Sequence, residues 1–331
     1  MKNRIYLKTI AFLLCLIGIS VLLFIVFGLI ENIIDKAENN ISAEDVFSYS
    51  GKTEGLLYYG SEWYEPKDSL ESILVLGLDR KLTDSSEERQ NSKQADYLAL
   101  LILDQETQTF RVLHINRDTM TDIPQTDITG REYGTTYAQL ALAHIYGSDD
   151  RAQCRNTVKT VENLLYGIDI DHYISLTMDA VPILNDSVGG VELQLMDDFT
   201  ELDESFVKDA VVTLHGEQAL AYVQARGSLE DNTNVHRMER QRQYLSALFG
   251  KYSSINMENT TDIMLQINEY MVSDCTIDQL SRLAERLGSY TNEGILTLEG
   301  EAVKGEKFME FYIDESAAQA MVIELFYEPE N

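Results

Sequence analysis

The sequence predicts a layered α/β domain held outside a membrane by a single N-terminal span. Three observations carry that expectation. They are an uncharged apolar stretch of 22 residues near the start, two apolar runs at residues 72–78 and 97–103 that are too short for ordinary helices, and a later alternation of helical and strand patterns. With 331 residues and 44% hydrophobic composition, the chain is long enough and apolar enough for a sizeable core.

Residues 9–30 carry no charged side chain. At about 1.5 Å per residue, a helix of that length crosses the roughly 30 Å hydrocarbon core of a bilayer. Lys2, Arg4 and Lys8 precede the stretch and Glu31, Asp35 and Glu38 follow it, which keeps residues 1–8 in the cytoplasm and puts the remainder outside. A cleaved signal peptide would have a shorter apolar region and small residues at its cut site. Gly28-Leu29-Ile30-Glu31 offers no such site, so an uncleaved anchor in the cell membrane is expected. Residues 31–70, polar and acidic with Tyr58, Tyr59, Trp63 and Tyr64 near their end, read as a juxtamembrane stalk.

The body divides into a domain over 71–252 and an acidic extension over 253–331 that carries no readable motif. Its first two apolar runs suit central strands covered on both faces, and the charged segment 81–93 between them reads as a loop. Residues 109–115 alternate as a third strand, the hairpin partner of the second. Residues 136–146 read as a helix ending at Gly147, and 151–166 as a second, capped by Asp150, with Cys154, Val158, Val161 and Leu165 on its core stripe. A strand over 172–178, a short helix over 180–187 and a strand over 191–195 follow. Helices over 216–224 and 235–252 come next, then two further helices, a strand pair near 294–313 and a last helix near 315–326.

The formal charge of −29, from 55 acidic against 26 basic residues, excludes the nucleic-acid backbone as a partner and makes each clustered arginine more telling. Cys15 lies in the apolar stretch, leaving Cys154 and Cys275, whose positions fix no pairing. None of the five histidines falls at metal-ligand spacing, no serine sits in a nucleophile elbow, and the glycines form neither a dinucleotide fingerprint nor a phosphate loop.

What remains are polar groups at the ends of apolar segments. Asp79 follows the first run and Asp96 precedes the second, and strand ends are where open α/β sheets hold ligands. Two carboxylates supply the hard oxygens Mg²⁺ prefers, although each equally suits a hydrogen bond to a turn amide. Arg117 and Asp118 leave the third strand together, so the guanidinium could grip a phosphate while the carboxylate orients it or takes a proton, or the two could form a local ion pair. Arg237, Arg240 and Gln241 are three and four residues apart on the long helix and share a face, with Met238, Leu245, Leu248 and Phe249 on another.

Leu76-Gly77-Leu78-Asp79, Ala95-Asp96-Tyr97, Asn116-Arg117-Asp118-Thr119, the segment 222–226 ending in Arg226, and the segment 236–241 together resemble the LytR-CpsA-Psr family of envelope phosphotransferases. The segments 160–168, 188–191 and 214–223 match as well, so the similarity runs over about residues 72–252. The resemblance implies an extracytoplasmic mixed sheet between helices with a hydrophobic pocket for a polyprenyl tail. It also implies transfer of a glycopolymer, such as teichoic acid or capsule, from an undecaprenyl-pyrophosphate carrier to peptidoglycan. By the same resemblance Asp79 and Asp96 would hold Mg²⁺ or Mn²⁺. Arg117, Arg226, Arg237 and Gln241 would bind the pyrophosphate, supported by Arg240 and Asp118, with Asp118 assisting deprotonation. Gln94 and Gln224 stand where the family often has arginine. Those two amides weaken the expected cationic cradle and leave other readings open, a protein that binds lipid-linked sugars without turning them over or a pyrophosphatase on the same lipids.

Overall fold

The computed structural model describes residues 56–79, 93–127, 129, 131–225, 233–253 and 260–330. The expected membrane span and most of the stalk lie outside these, and no helix among the described residues is long and apolar enough to cross a membrane. Residues 67–326 form one compact unit, and the described residues on either side of it belong to another. In that smaller unit β1 (Leu57–Tyr59) and β2 (Glu62–Pro66) form a hairpin, with the Tyr58 and Trp63 rings 5.1 Å apart.

The larger unit opens with β3 (Leu70–Leu78), β4 (Ala95–Asp104) and β5 (Thr109–Ile115), an antiparallel meander. The two continuous apolar runs are its central strands. Leu74, Leu76, Leu98, Leu100 and Leu103 are wholly buried because the sheet is covered on both faces. β6 (Met120–Thr126) and β7 (Glu132–Gln139) make a separate hairpin. This corrects the helix over 136–146. Thr135, Thr136 and Tyr137 suit a pleated surface and pair with Pro124, Ile123 and Asp122, leaving only Leu140–Ile145 to coil as a 3-10 turn.

α1 (Asp150–Leu164) starts one residue earlier than the pattern implies, because Asp149 is the cap, its carboxylate accepting from the Ala152 amide at 2.8 Å. Cys154, Val161 and Leu165 are fully buried on its core side, and the helix packs against β6, the 3-10 turn and β8 (His172–Thr177), which runs parallel to β3. α2 (Ala180–Ser187), β9 (Val191–Gln194), β10 (Val211–Leu214), α3 (Glu217–Gln224) and α4 (Asn234–Tyr252) follow. Around β9, β10, α3 and the second half of α4 a second cluster gathers Val188, Leu193, Phe199, Phe206, Tyr222 and Tyr244.

The remaining elements are α5 (Thr260–Ile267), β11 (Met271–Ser273), α6 (Ile277–Ser289), β12 (Thr291–Leu296), the hairpin β13 (Gly300–Lys304) and β14 (Met309–Ile313), and α7 (Glu315–Phe326). The expected boundary at residue 253 is therefore not one in the fold. β11 and β12 are the two edges of the six-stranded sheet, in the order β11-β8-β3-β4-β5-β12, and α6 lays Leu280 and Leu283 on its face against Ile73, Leu101 and Val112. Two parallel pairings among antiparallel ones make the sheet mixed, as expected. Beyond α7, β15 (Tyr327–Pro329) completes the smaller unit by pairing with β2.

Candidate active site

The site begins with a fault in the β3–β4 ladder. Pairing is regular from Leu70 with Asp104 to Gly77 with Tyr97, but Leu78 then pairs with Ala95, so Asp96 is the extra residue of a bulge. A bulge bends its strand and re-aims the unpaired side chain. Here the bulge falls at the end of the ladder nearest Asp79, the first residue after β3. Gly77 makes room, since a Cβ there would lie 2.9 Å from that of Tyr97.

Each carboxylate has a neighbour. Gln224, at the end of α3, donates to Asp79 Oδ1 at 2.6 Å. Asp96 is ion-paired with Arg117, whose Nε lies 3.4 Å from Asp118 Oδ1. Asp118 is itself held by the Gln139 amide at 2.9 Å, which also donates to the Met309 carbonyl at 2.7 Å, and the Asp118 carbonyl accepts from the Phe311 amide at 2.9 Å. Arg237 donates to Asn234 Oδ1 at 2.6 Å and approaches the Asp96 carbonyl at 3.5 Å, while Asn234 donates to Asn116 Oδ1 at 2.8 Å. Gln241 donates to the Val223 carbonyl at 3.2 Å. Gln139 and Asn234 escape a reading of sequence because nothing in local spacing marks an amide as a bridge. The i, i+3 relation of Asn234 to Arg237 is the one available hint.

Asp79, Asp96, Gln224, Arg237 and Gln241 border a cavity of about 340 Å³ between the sheet and α2, α4, α5 and α6. Its charged and amide lining residues are Asp79, Asp96, Gln224, Arg237 and Gln241, and most of the rest of the wall is apolar, as at Val75, Leu101, Ile174, Leu248, Met264 and Leu283. α4 shows how one helix serves both parts. Residues 237, 241, 244, 245, 248, 249 and 252 all line the cavity, a single stripe at 3.6-residue spacing that turns from Arg and Gln to Leu, Phe and Tyr along its length. This corrects the division of α4 into a polar face and a separate face holding Leu245, Leu248 and Phe249. Two buried atoms in the polar part, Arg237 Nε and Gln241 Oε1, have no hydrogen-bond partner among the described residues. Buried polar atoms are ordinarily satisfied, so such a pair in a cavity wall points to a polar ligand.

Five other predicted residues stand differently. Arg240 is not a ligand contact. It is 1% exposed, with Nη1 2.8 Å from Asp197 Oδ2, Nε 3.3 Å from the Tyr222 carbonyl and Nη2 on the Ala225 carbonyl. At three residues beyond Arg237 it falls on the flank of the stripe, where Asp197 claims its charge. Gln94 is half-buried and not among the cavity-lining residues. Asp118 and Arg117 do not line the cavity either, and join the site through Asp96. Arg226 lies outside the described residues.

A profile of the LytR_cpsA_psr family matches residues 31–325. The chain belongs to this family. Among curated family relatives it is 30% identical over 234 residues to the polyisoprenyl-teichoic acid–peptidoglycan teichoic acid transferase TagV of Bacillus subtilis, covering 69% of this chain and 55% of that protein. The chain thus spans about half the length of that relative. It is 29% identical to the TagU transferase of Halalkalibacterium halodurans, covering 70% of each. Of solved structures, B. subtilis TagV superposes with a TM-score of 0.59 at 25% identity, over 78% of this chain and 97% of that one. TagT bound to LIIa-WTA superposes with a TM-score of 0.58 at 22% identity, over 78% and 90%. The family fold therefore includes the C-terminal segment that the motifs alone leave unassigned.

Proposed function

We propose that this chain is a membrane-anchored extracytoplasmic phosphotransferase that moves a glycopolymer from a polyprenyl-pyrophosphate carrier to peptidoglycan. The observation that carries the reading is the composite cavity, apolar toward α6 and polar where β3, β4, α3 and the start of α4 meet. An isoprenoid tail suits the apolar part and a pyrophosphate the polar part. The curated relatives named as polyisoprenyl-teichoic acid transferases support the same substrates. The apolar, uncharged segment 9–30 supports the anchor.

In this reading Arg237 Nε donates to a phosphate oxygen that would satisfy it, while Gln241 Oε1, an acceptor, is met by a hydroxyl or water proton. Arg117 neutralises and positions Asp96, and Arg226 belongs with the cations by its motif. Asp79 and Asp96 form a hard-oxygen pair at the rim of the cavity, which fits Mg²⁺ or Mn²⁺ held by carboxylates and substrate phosphate. Such an ion, when bound, would stabilise charge on the leaving phosphate. An acceptor hydroxyl attacks the phosphorus bearing the glycopolymer, a new P–O bond forms, the bond to the polyprenyl phosphate breaks, and the hydroxyl proton passes to the departing phosphate or to water. Asp118 was the sequence candidate for receiving that proton. Its place behind Arg117 supports an orienting part instead.

The test uses full-length protein in detergent with a polyprenyl-pyrophosphate-linked glycan and peptidoglycan fragments. Mg²⁺-dependent product is expected, nearly lost in Asp96→Ala and Arg117→Ala. Undiminished turnover in both variants would remove the site. The second reading, a carrier-binding protein, is favoured by Gln224, which leaves an amide rather than a guanidinium on Asp79. Tight binding with no product at any Mg²⁺ or Mn²⁺ concentration would establish it.

A further inference from the structure

At the other end of β8 from Leu176 and Thr177, which line the cavity, three side chains from two distant segments converge at the first residue of the strand. His172 Nδ1 stands 3.6 Å from Asp274 Oδ1, Cys275 Sγ stands 3.9 Å from the same oxygen, and all three donor atoms lie within 4.8 Å of one another. We propose that His172, Asp274 and Cys275 form a binding site for a divalent transition metal of the zinc class, separate from the pyrophosphate site.

The spacing is the first argument. At 3.6 Å the imidazole and carboxylate are too far apart for a hydrogen bond, and His172 Nδ1 is buried without a hydrogen-bond partner among the described residues. Bonds of about 2.0–2.3 Å to one tetrahedral ion place N, O and S donors roughly 3.3–3.7 Å apart. The 3.6 Å pair already meets that geometry, and the farthest donors, within 4.8 Å, close by about 1 Å to reach it.

The donor types are the second argument. A nitrogen, a carboxylate oxygen and a thiolate sulfur suit Zn²⁺ and its neighbours and do not suit Mg²⁺, which prefers oxygen alone.

The surroundings are the third. Asp274 Oδ1 accepts from the Tyr173 amide at 3.0 Å, and Ser273 Oγ accepts from the Cys275 amide at 3.0 Å while donating to the Tyr173 carbonyl at 2.7 Å. These bonds hold the donors before any ion arrives, as outer partners do in metal sites. The β8–β11 pairing of Ile174 with Ser273 fixes the two segments in register. His172 and Cys275 also line a polar pocket of about 620 Å³ with Glu71, Arg282 and Arg286, which gives an ion an entry path and leaves a fourth position for water. Histidine spacing hides the site, because its members are about a hundred residues apart in sequence.

Cobalt is the probe. Full-length protein in detergent, stripped with chelator and reduced, is titrated with Co²⁺ and followed by absorption. One equivalent is expected to raise a thiolate-to-cobalt charge-transfer band with tetrahedral d–d bands, and Zn²⁺ to displace both while Mg²⁺ does not. An ion at Asp79 and Asp96 has no thiolate and cannot produce the charge-transfer band. Cys275→Ser should abolish it, His172→Ala and Asp274→Asn should weaken Co²⁺ binding at least tenfold, and Cys154→Ser should change nothing. Far-UV circular dichroism of each variant checks folding. No band in the wild type, or a band that survives Cys275→Ser, overturns the site.

Discussion

Gln224 Nε2 lies 2.6 Å from Asp79 Oδ1, joining the end of α3 to the end of β3 across the mouth of the cavity. An amide here donates one hydrogen bond and leaves the carboxylate its charge, whereas an arginine would neutralise it. Gln224→Ala removes a bond to a charged group, typically worth about 1.5–3 kcal/mol and less at an exposed site. Its transfer rate is expected to fall about fivefold, measured as kcat/KM, with Tm little changed.

Arg237 and Arg240 separate contact from support on one helix. Arg237→Ala is expected to cost on the order of 100-fold or more in turnover, since it removes the cation lining the polar part of the cavity. Arg240→Ala strips a buried partner from Asp197 and should lower stability by about 3–5 kcal/mol, His236 at 2.9 Å from Asp197 softening the loss. Denaturant melts and kinetics on the two proteins check the contrast. The assignment fails if Arg240→Ala melts normally but does not bind carrier.

Ala284 sits on α6 in the apolar wall. Ala284→Phe intrudes into the volume a long isoprenoid would occupy, so binding of a long-chain polyprenyl phosphate should weaken at least tenfold while a short-chain analogue binds as before. Equal losses for both chain lengths would place the tail elsewhere.

His114 is buried beside Tyr97, ring centroids 4.8 Å apart, and burial, with Arg242 adding repulsion, pushes its pKa from 6.5 down to about 3. The folded protein keeps this imidazole neutral while the unfolded chain protonates it below pH 6.5. Its contribution to stability is therefore present above about pH 6.5 and lost as the pH falls toward 3, at no more than about 1.4 kcal/mol per pH unit. Glu71, held low by its Arg286 pair, adds to the loss below its ordinary value of 4.5. Unfolding free energies from pH 7 to 4 should show a shallower slope in His114→Phe.

Local pattern was enough for several parts of this protein. Continuous apolar runs mark β3 and β4 because a strand covered on both faces has no polar side to show. The alternation of elements marks the layered fold, and ordered motifs mark the family. Asp79, Asp96, Arg237 and Gln241 were legible as site candidates, since each ends or faces an element that local pattern reveals, and Gln224 only through the family resemblance.

Other features depended on contacts made across the chain. The bulge that aims Asp96, the pairing that turns residues 136–139 into strand, the two edge strands drawn from the C-terminal segment, the withdrawal of Arg240 to Asp197 and the meeting of His172 with Cys275 have no local signature. Periodicity reports which side of an element is apolar. It carries no record of which distant partner will claim a charge or complete a ladder, because that choice is made by the free energy of packing segments that are neighbours only once the chain has folded.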